Sequence, residues 1–319
     1  MENGRSAEIV SVIASEVTTM VRLKYKPTQT FNVREDKFFG EFYRAARKGY
    51  PGKAVIAFGG SMGTMLINRM LAEKFADAGI AVMIIEYHGK DGLPEDLQDQ
   101  PVEVVKYAAE WLKGAGYEKI GVWGISMGTC LAVLAAANFP ELISCVVAVS
   151  PMHMVTQAER KNDSGVREGS SFALHGEPVP YAEWNMDSKT FNRRYYRDCL
   201  KHKDPYSRGI IEDAYRNNTN EAALLPVEKI KGSVLFISGK QDGMCPAFES
   251  SEFMMRRLDE HHFPYVHEHI SYEHLGHFIL PFKPFVSKLL IAERKHPKEC
   301  DAERASAWEA TLEFLREKW

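Results

Sequence analysis

The sequence lacks any apolar run long enough to cross a bilayer. Its longest runs, such as residues 78–85, fall far short of the roughly 20 residues that a spanning helix needs. The first residues lack the apolar core of a signal peptide, and the last ones carry no peroxisomal or endoplasmic-reticulum address. We therefore expect a cytoplasmic protein with no membrane span.

An excess of basic charge is also missing. The 319 residues include 40 Lys and Arg against 43 Asp and Glu, which gives a net charge of −3. No basic stripe interleaved with aromatic residues occurs, so the composition argues against a nucleic-acid partner.

Cysteine pairs with the spacing of metal or redox sites are absent. The odd number of cysteines and the missing secretory signal favour free thiols at Cys130, Cys145, Cys199, Cys245 and Cys300. His267 and His269 could share one strand face, but no third ligand accompanies them, so we predict a structural function for both. We expect neither a metal nor a cofactor.

Alternation of strand and helix patterns predicts the fold class. Apolar runs, typical of strands buried on both faces, occur at residues 53–58, 80–87, 119–124, 143–150, 233–238 and 265–270. Helical patterns lie between them and at the end, up to residue 78 and at 101–113, 126–138 and 301–319. This order predicts an α/β protein with a mostly parallel central sheet and helices on both faces. Alternating residues at 18–26 and 37–45 predict a hairpin at the sheet edge.

The alternation stops after residue 151. About seventy residues precede the next clear strand, and a single crossover needs far fewer. No stretch has the composition of a linker. We therefore predict one domain, residues 1–319, with an inserted lid at about 152–226.

The motif Gly-Ile-Ser-Met-Gly at 124–128 follows a predicted strand and opens a predicted helix. This is the context in which G-x-S-x-G forms the nucleophile turn of α/β-hydrolases. The sharp turn lifts the Ser126 hydroxyl off the sheet, and the helix N-terminus places the Met127 N–H near charge that develops on the substrate. Ser126 is therefore the predicted nucleophile, and Met127 a predicted oxyanion-hole donor.

A second oxyanion donor is expected in the loop after the strand at 53–58. Gly60 and Ser61 occupy that loop, and the sequence does not decide between their N–H groups. A phosphate-binding loop is disfavoured because no Gly-Lys-Ser or Gly-Lys-Thr ending follows.

Serine needs a base and an orienting acid, which follow it in this fold in the order acid, then histidine. Asp242 comes just after a buried strand and is the predicted acid, whereas Glu249 and Glu252 fall in the next helix. His277 is the predicted base because Gly276 lets its loop turn. His274 is the alternative.

From about residue 36 to its end, the chain resembles the C-terminal catalytic domain of acyl-CoA thioesterases and bile acid-CoA:amino acid N-acyltransferases. The stretches that carry the resemblance are residues 92–97, 101–103, 124–128, 171–181, 237–242, 276–281, 307–308 and 314–315. The most family-specific are Leu-Pro-Glu-Asp-Leu at 93–97 and Gly-Glu-Pro-Val-Pro at 176–180.

The resemblance implies a serine hydrolase that cleaves an acyl-CoA-type thioester, a small-molecule substrate, through an acyl-serine intermediate at Ser126, Asp242 and His277. Two departures bear on this. Long members carry an N-terminal β-sandwich domain, for which this chain has no room. Amino-acid-conjugating members use a cysteine nucleophile, so Ser126 favours water as the acceptor.

Three other functions remain open: a carboxylesterase or lipase-like hydrolase, an acyl-CoA-dependent acyltransferase, and a non-catalytic binding protein. A binder would need none of the three catalytic residues. Aromatic residues of the predicted lid could line an acyl pocket or simply pack on the body; they are Phe172, Tyr181, Trp184, Phe191, Tyr195 and Tyr196. Arginines that could meet coenzyme A phosphates or form a solvated helix face are Arg193, Arg194 and Arg197. The oligomeric state is not predicted.

Overall fold

A computed structural model describes residues 22–62, 64–160 and 165–319. In chain order its strands are β1 Gln29–Phe31, β2 Phe39–Tyr43, β3 Lys53–Phe58, β4 Ala81–Glu86, β5 Gln100–Pro101, β6 Lys119–Ile125, β7 Cys145–Val149, β8 Gln157–Glu159, β9 Val166–Ser170, β10 Phe172–Leu174, β11 Glu177–Pro178, β12 Ser233–Gly239 and β13 His267–Tyr272.

The α-helices are α1 Val33–Asp36, α2 Met65–Ala78, α3 Glu103–Gly114, α4 Met127–Asn138, α5 Ser188–His202, α6 Arg208–Asn217, α7 Ala247–Glu260, α8 Ile291–Lys295 and α9 Pro297–Glu313. Short 3-10 turns lie at Glu221–Ala223, Val227–Lys229 and Phe285–Leu289, and α9 ends in a π-helical turn at Phe314–Lys318. Within the described residues, no helix is both long and apolar enough to span a bilayer.

The central sheet has eight strands in the order β1-β2-β4-β3-β6-β7-β12-β13. The six strands from β4 to β13 in this order are parallel, and β2 pairs antiparallel with both β1 and β4. The predicted α/β class, with a mostly parallel sheet between helices, is confirmed. Because the strands are parallel, the loops that follow β3, β6, β12 and β13 all leave from the same edge of the sheet.

Both faces of the sheet are buried, as the apolar runs require. Along β3, Ile56 belongs to one hydrophobic core and Val55 to the other, since neighbouring side chains point to opposite faces. Helices α3, α4 and α7 cover the first face, and α2 and α9 cover the second. Residues 127–136 of α4 are all buried, so the helix behind Ser126 is fixed by packing on every side.

The predicted edge hairpin is present, but its first strand was assigned to the wrong residues. β1 lies at Gln29–Phe31 rather than at 18–26, of which residues 18–21 fall outside the described part. The backbone N–H groups of Lys24 and Tyr25 donate to the Glu73 carboxylate of α2. A helix side chain therefore accepts these N–H groups, and residues 22–26 do not join the sheet.

The predicted insertion, residues 152–226, contains β8 to β11, α5 and α6 among its described residues. It is tied to the body of the fold because β10 pairs with β5 and Glu159 exchanges backbone hydrogen bonds with Leu97. That this segment acts as a lid, and that the chain is a single domain, stay predictions.

Candidate active site

Ser126 lies on a sharp bend between β6 and α4. Its φ of 58° and ψ of −129° fall where residues with a side chain are rarely found. Its N–H donates to the Val149 carbonyl of β7 over 2.9 Å, and its carbonyl accepts from the Thr129 N–H over 2.8 Å. The sheet edge and the first turn of α4 thus hold the strained bend from both sides.

Three glycines allow backbone segments to pack against this bend. A Cβ on Gly124 would lie 2.4 Å from the Gly128 carbonyl oxygen, and a Cβ on Gly128 would lie 2.4 Å from the Gly59 oxygen. A Cβ on Gly60 would lie 2.8 Å from the Ser126 Cβ. Contacts this close leave no room for a side chain at these three positions. Because they are glycines, the loop after β3 can lie directly against Ser126.

His277 and Asp242 form a buried pair. Nδ1 of His277 lies 2.8 Å from Oδ2 of Asp242, and each residue is 2% exposed. The other carboxylate oxygen of Asp242 accepts the backbone N–H groups of Met244 and Cys245 over 2.8 and 2.9 Å. All of these contacts fix the orientation of the carboxylate.

The loops that carry the pair are packed together at the sheet edge. A Cβ on Gly239, the last residue of β12, would lie 2.1 Å from the Leu275 carbonyl oxygen. The Ser150 hydroxyl donates to the His277 carbonyl over 2.7 Å. The position of the imidazole is therefore set by two neighbouring strand ends.

Ser126 and His277 line the same cavity, although no hydrogen bond joins their side chains within the described residues. Cys245 is buried beside the Ser126 side chain. Burial raises the pKa of the Cys245 thiol well above its usual value, which keeps it protonated and a poor nucleophile.

Residues 101–318 match the family profile described as BAAT / Acyl-CoA thioester hydrolase C terminal. The chain belongs to this family. Among relatives, it is 24% identical over 300 residues to acyl-coenzyme A thioesterase 1 of Rattus norvegicus, covering 90% of this chain and 64% of that protein. It is 25% identical over 258 residues to acyl-coenzyme A amino acid N-acyltransferase 2 of the same species, covering 79% and 55%. The chain thus spans only part of these relatives.

Solved structures with the α/β-hydrolase fold match nearly the whole chain. A thermophilic carboxylesterase from a metagenomic library matches with a TM-score of 0.52 and 15% identity, covering 97% of each chain. Est1E from Butyrivibrio proteoclasticus matches with a TM-score of 0.51 and 13% identity, covering 92% of this chain and 99% of that one. At such identities the likeness shows the fold alone.

The alternative site residues are bonded elsewhere. His274 lies 2.8 Å from Glu303 of α9, and this contact raises the pKa of its imidazole. Glu249 forms an ion pair with Arg208, and Glu252 contacts His269 over 2.8 Å. These three side chains do not line the cavity that Ser126 and His277 share.

His267, which was predicted to be structural together with His269, contacts Asp259 over 3.1 Å. Across the described ranges, no cluster of three or more His, Cys, Asp or Glu side chains is arranged to hold a metal.

Two cavities meet at Ser126. The first, which we call the Trp123 cavity, is mostly apolar and also reaches His277, Gly60, Ser61 and Asn68. The second, which we call the Glu159 cavity, runs between the sheet edge and the predicted lid. Its lining includes Ser126, Met127, Met152, Thr156, Glu159, Arg160, Trp184, Phe191, Tyr195, Ile210 and Cys245.

The aromatic residues predicted for an acyl pocket divide into two groups. Trp184, Phe191 and Tyr195 line the Glu159 cavity. Phe172 is fully buried and stacks on Tyr87, and Tyr181 packs half-buried on the core, so both lie outside the two cavities. Tyr196 is 50% exposed.

The arginines of α5 that were considered for coenzyme A phosphates are partly engaged in ion pairs. Arg194 pairs with Asp198 and Asp213, and Arg197 pairs with Asp198.

Sequence reasoning missed Cys245 and Glu159. Cys245 comes three residues after Asp242, so a closer reading of the acid loop could have found it. Glu159 lies in the insertion, where no motif marks it. Burial raises the pKa of its carboxyl to about 7, an unusual value for a side chain in a cavity that contains a candidate nucleophile.

The strained bend generates a prediction about stability. We expect Ser126→Gly to be more stable than Ser126→Ala by about 1–2 kcal/mol, because glycine adopts a φ of 58° without steric cost. Urea unfolding measures the difference. The matched control is Ser251 inside α7, where alanine should exceed glycine by about 1 kcal/mol. The same sign at both positions would contradict the assigned strain.

Glu159 generates a prediction about pH. Its proton is held up to about pH 7 in the folded chain but is lost near pH 4.5 in the unfolded chain, so folding stability falls as the pH rises between these values. We expect Glu159→Gln to remove this loss, which amounts to about 3 kcal/mol at most above pH 8. Urea unfolding from pH 4 to 8 tests it. Glu168→Gln, on an exposed residue of β9, is the control, and parallel curves for wild type and Glu159→Gln would refute the burial argument.

Proposed function

We propose that this chain is a serine hydrolase that cleaves an acyl-CoA-type thioester through an acyl-serine intermediate. The observation that carries the proposal is the strained bend that presents Ser126 to a cavity shared with His277, while His277 is bonded to a buried Asp242. Membership of the BAAT / Acyl-CoA thioester hydrolase C terminal family supports the thioester as the bond that is cleaved.

In this mechanism His277 is the general base. An ionised Asp242 carboxylate only accepts hydrogen bonds, so the imidazole proton stays on Nδ1 and Nε2 is free to take the Ser126 proton. The Ser126 hydroxyl meets Nε2 in the cavity that both residues line. Asp242 then stabilises the imidazolium.

The oxyanion donors come from two segments that lie against the bend. Met127 opens α4, and the N–H groups of the first helical turn have no acceptor within the helix. Gly60 or Ser61 supplies the second N–H from the loop after β3. Together they stabilise the negative charge on the acyl oxygen, each donor contributing about 3–4 kcal/mol to transition-state stabilisation.

The two cavities suit a substrate with a group on each side of the bond that breaks. Both reach Ser126 and share Ser61, Met62 and Met244. The acyl group would occupy the Glu159 cavity, whose walls include Trp184 and Phe191 of the insertion, and the leaving thiol would depart along the Trp123 cavity. Water then attacks the acyl-serine with His277 again as base, which restores Ser126.

A carboxylesterase is the second candidate, because the solved carboxylesterase shares the fold over nearly the whole chain. The Ser126 mechanism is the same for an oxygen ester and a thioester, so the two candidates differ only in the leaving group. A non-catalytic binding protein is disfavoured, because neither the strain at Ser126 nor the buried Asp242–His277 pair would serve such a protein.

We expect Ser126→Ala to lower kcat for thioester hydrolysis by at least three orders of magnitude. We expect Asp242→Asn to lower it by about four, because the imidazole then loses the correct tautomer and orientation. Thiol release from an acyl-CoA measures both. His274→Ala is the matched control for His277→Ala and should remain active. Wild-type activity in His277→Ala would move the base elsewhere.

The leaving group is tested with octanoyl-CoA and p-nitrophenyl octanoate, which share the acyl group. For each substrate, kcat/KM is divided by the rate constant of its uncatalysed hydrolysis. We expect this ratio to be higher for the thioester than for the oxygen ester. Equal enhancement of the two would favour the carboxylesterase. Labelling by a fluorophosphonate that disappears in Ser126→Ala identifies the nucleophile independently, and an unlabelled folded wild type would favour the binding protein.

A further inference from the structure

The loop that follows β12 and carries Asp242 is held from two sides. Its first half is tied to the body of the fold, since the Gln241 N–H donates to the Leu275 carbonyl over 3.0 Å. The N–H groups of Met244 and Cys245 are used by the Asp242 carboxylate itself. The carbonyl groups in the second half of the loop therefore need donors from another part of the chain.

Those donors come from the insertion, at the point where α6 begins. The N–H groups of Ser207 and Arg208 both donate to the Gly243 carbonyl, over 3.1 and 3.0 Å. The Ser207 hydroxyl donates to the Met244 carbonyl over 2.7 Å, and the Arg208 guanidinium lies 3.4 Å from the Asp242 carbonyl. Two successive residues of the insertion thus bind three successive carbonyls of this loop.

The segment that supplies these donors is itself anchored. Asp204, just before α6, accepts the Ile291 N–H of α8 over 2.9 Å. A Cβ on Gly243 would lie 2.9 Å from the other oxygen of the Asp204 carboxylate, so this segment packs directly against the loop. An ion pair with Glu212, over 2.7 Å, orients the Arg208 guanidinium. The hydrogen bonds therefore join the loop to a fixed part of the insertion.

We propose that Ser207 is a positioning residue for Asp242, acting through the loop that carries it, with Arg208 supporting the same contact. The Asp242 carboxylate accepts N–H groups of its own loop, so a shift of that loop moves the carboxylate relative to His277. The insertion thereby contributes to the support of the base. This rests on the proposed function in one respect, that Asp242 orients the base of Ser126.

Ser207 also lines the Glu159 cavity, so a direct contact with the substrate is the competing explanation. The two differ in what the Ser207 hydroxyl contributes once Asp242 is impaired. A residue that acts through Asp242 has little left to lose in Asp242→Asn, whereas a residue that contacts the ligand costs the same in both backgrounds. A double-mutant cycle therefore separates the two explanations.

The rate at which a fluorophosphonate labels Ser126 measures the activated serine and is independent of the leaving group of the substrate. Second-order rate constants are compared for wild type, Ser207→Ala, Asp242→Asn and the double variant. Ser207→Thr and Ser207→Val have the same shape but differ in the hydroxyl. Ser188→Ala is the matched control, because Ser188 begins α5 of the same insertion and its hydroxyl donates to the Val166 carbonyl over 3.2 Å. Circular dichroism checks that each variant is folded.

We expect Ser207→Ala and Ser207→Val to be labelled about 10-fold more slowly than wild type, the effect of one lost hydrogen bond. Ser207→Thr and Ser188→Ala should stay within about twofold of wild type, because each keeps the hydroxyl contact to the Met244 carbonyl. In the Asp242→Asn background, Ser207→Ala should change the rate by less than about twofold.

Labelling of Ser207→Ala and Ser207→Val at the wild-type rate would overturn the proposal. An undiminished loss from Ser207→Ala in the Asp242→Asn background would overturn it in favour of contact with the ligand. An equal loss in Ser188→Ala would reject it as a general effect of the insertion. A folded wild type that is not labelled would overturn the proposed function together with this inference, whereas labelling without any effect of Ser207 would reject only the inference.

Discussion

The strained bend at Ser126 is the constraint on which the site depends. A non-glycine residue with a φ of 58° persists only where its surroundings impose it. Here the buried helix α4 holds one side, the Val149 carbonyl holds the other, and the loop after β3 closes in through contacts that only glycine permits. The cost in backbone energy is offset by the core on both faces of the sheet, and the hydroxyl is exposed to both cavities as a result.

Most of the sheet could be predicted because its strands are buried on both faces. Such strands need continuous apolar runs, and the runs at 53–58 and 233–238 match β3 and β12 within one residue. The edge was harder to predict. β1 has only three residues, two of them exposed, while Lys24 and Tyr25 before it donate their backbone N–H groups to Glu73. A local pattern does not reveal which partner takes an N–H group.

The pairing of His277 with Asp242 was accessible from the sequence for a topological reason. Parallel strands end at one edge, so side chains that follow β12 and β13 meet there although 35 residues separate them. No such rule covers residues 152–226, where short strands and two helices are positioned by tertiary contacts. Whether Trp184 lines a cavity and Phe172 lies in the core depends on how that segment packs, and both look alike in a list of aromatic residues.

Two carboxyl side chains near Ser126, those of Asp242 and Glu159, differ in their surroundings. On the side of the Asp242–His277 pair, the carboxylate is fully satisfied by three hydrogen bonds, as a charge in a low-dielectric interior requires. In the Glu159 cavity, by contrast, the Glu159 side chain is half-buried and lines open space beside both apolar and polar side chains. A satisfied buried charge maintains a geometry before substrate arrives, whereas a side chain that lines an open cavity is free to contact whatever occupies it. The fixed geometry of the Asp242–His277 pair therefore comes from the protein's own hydrogen bonds, at the edge where β12 and β13 end.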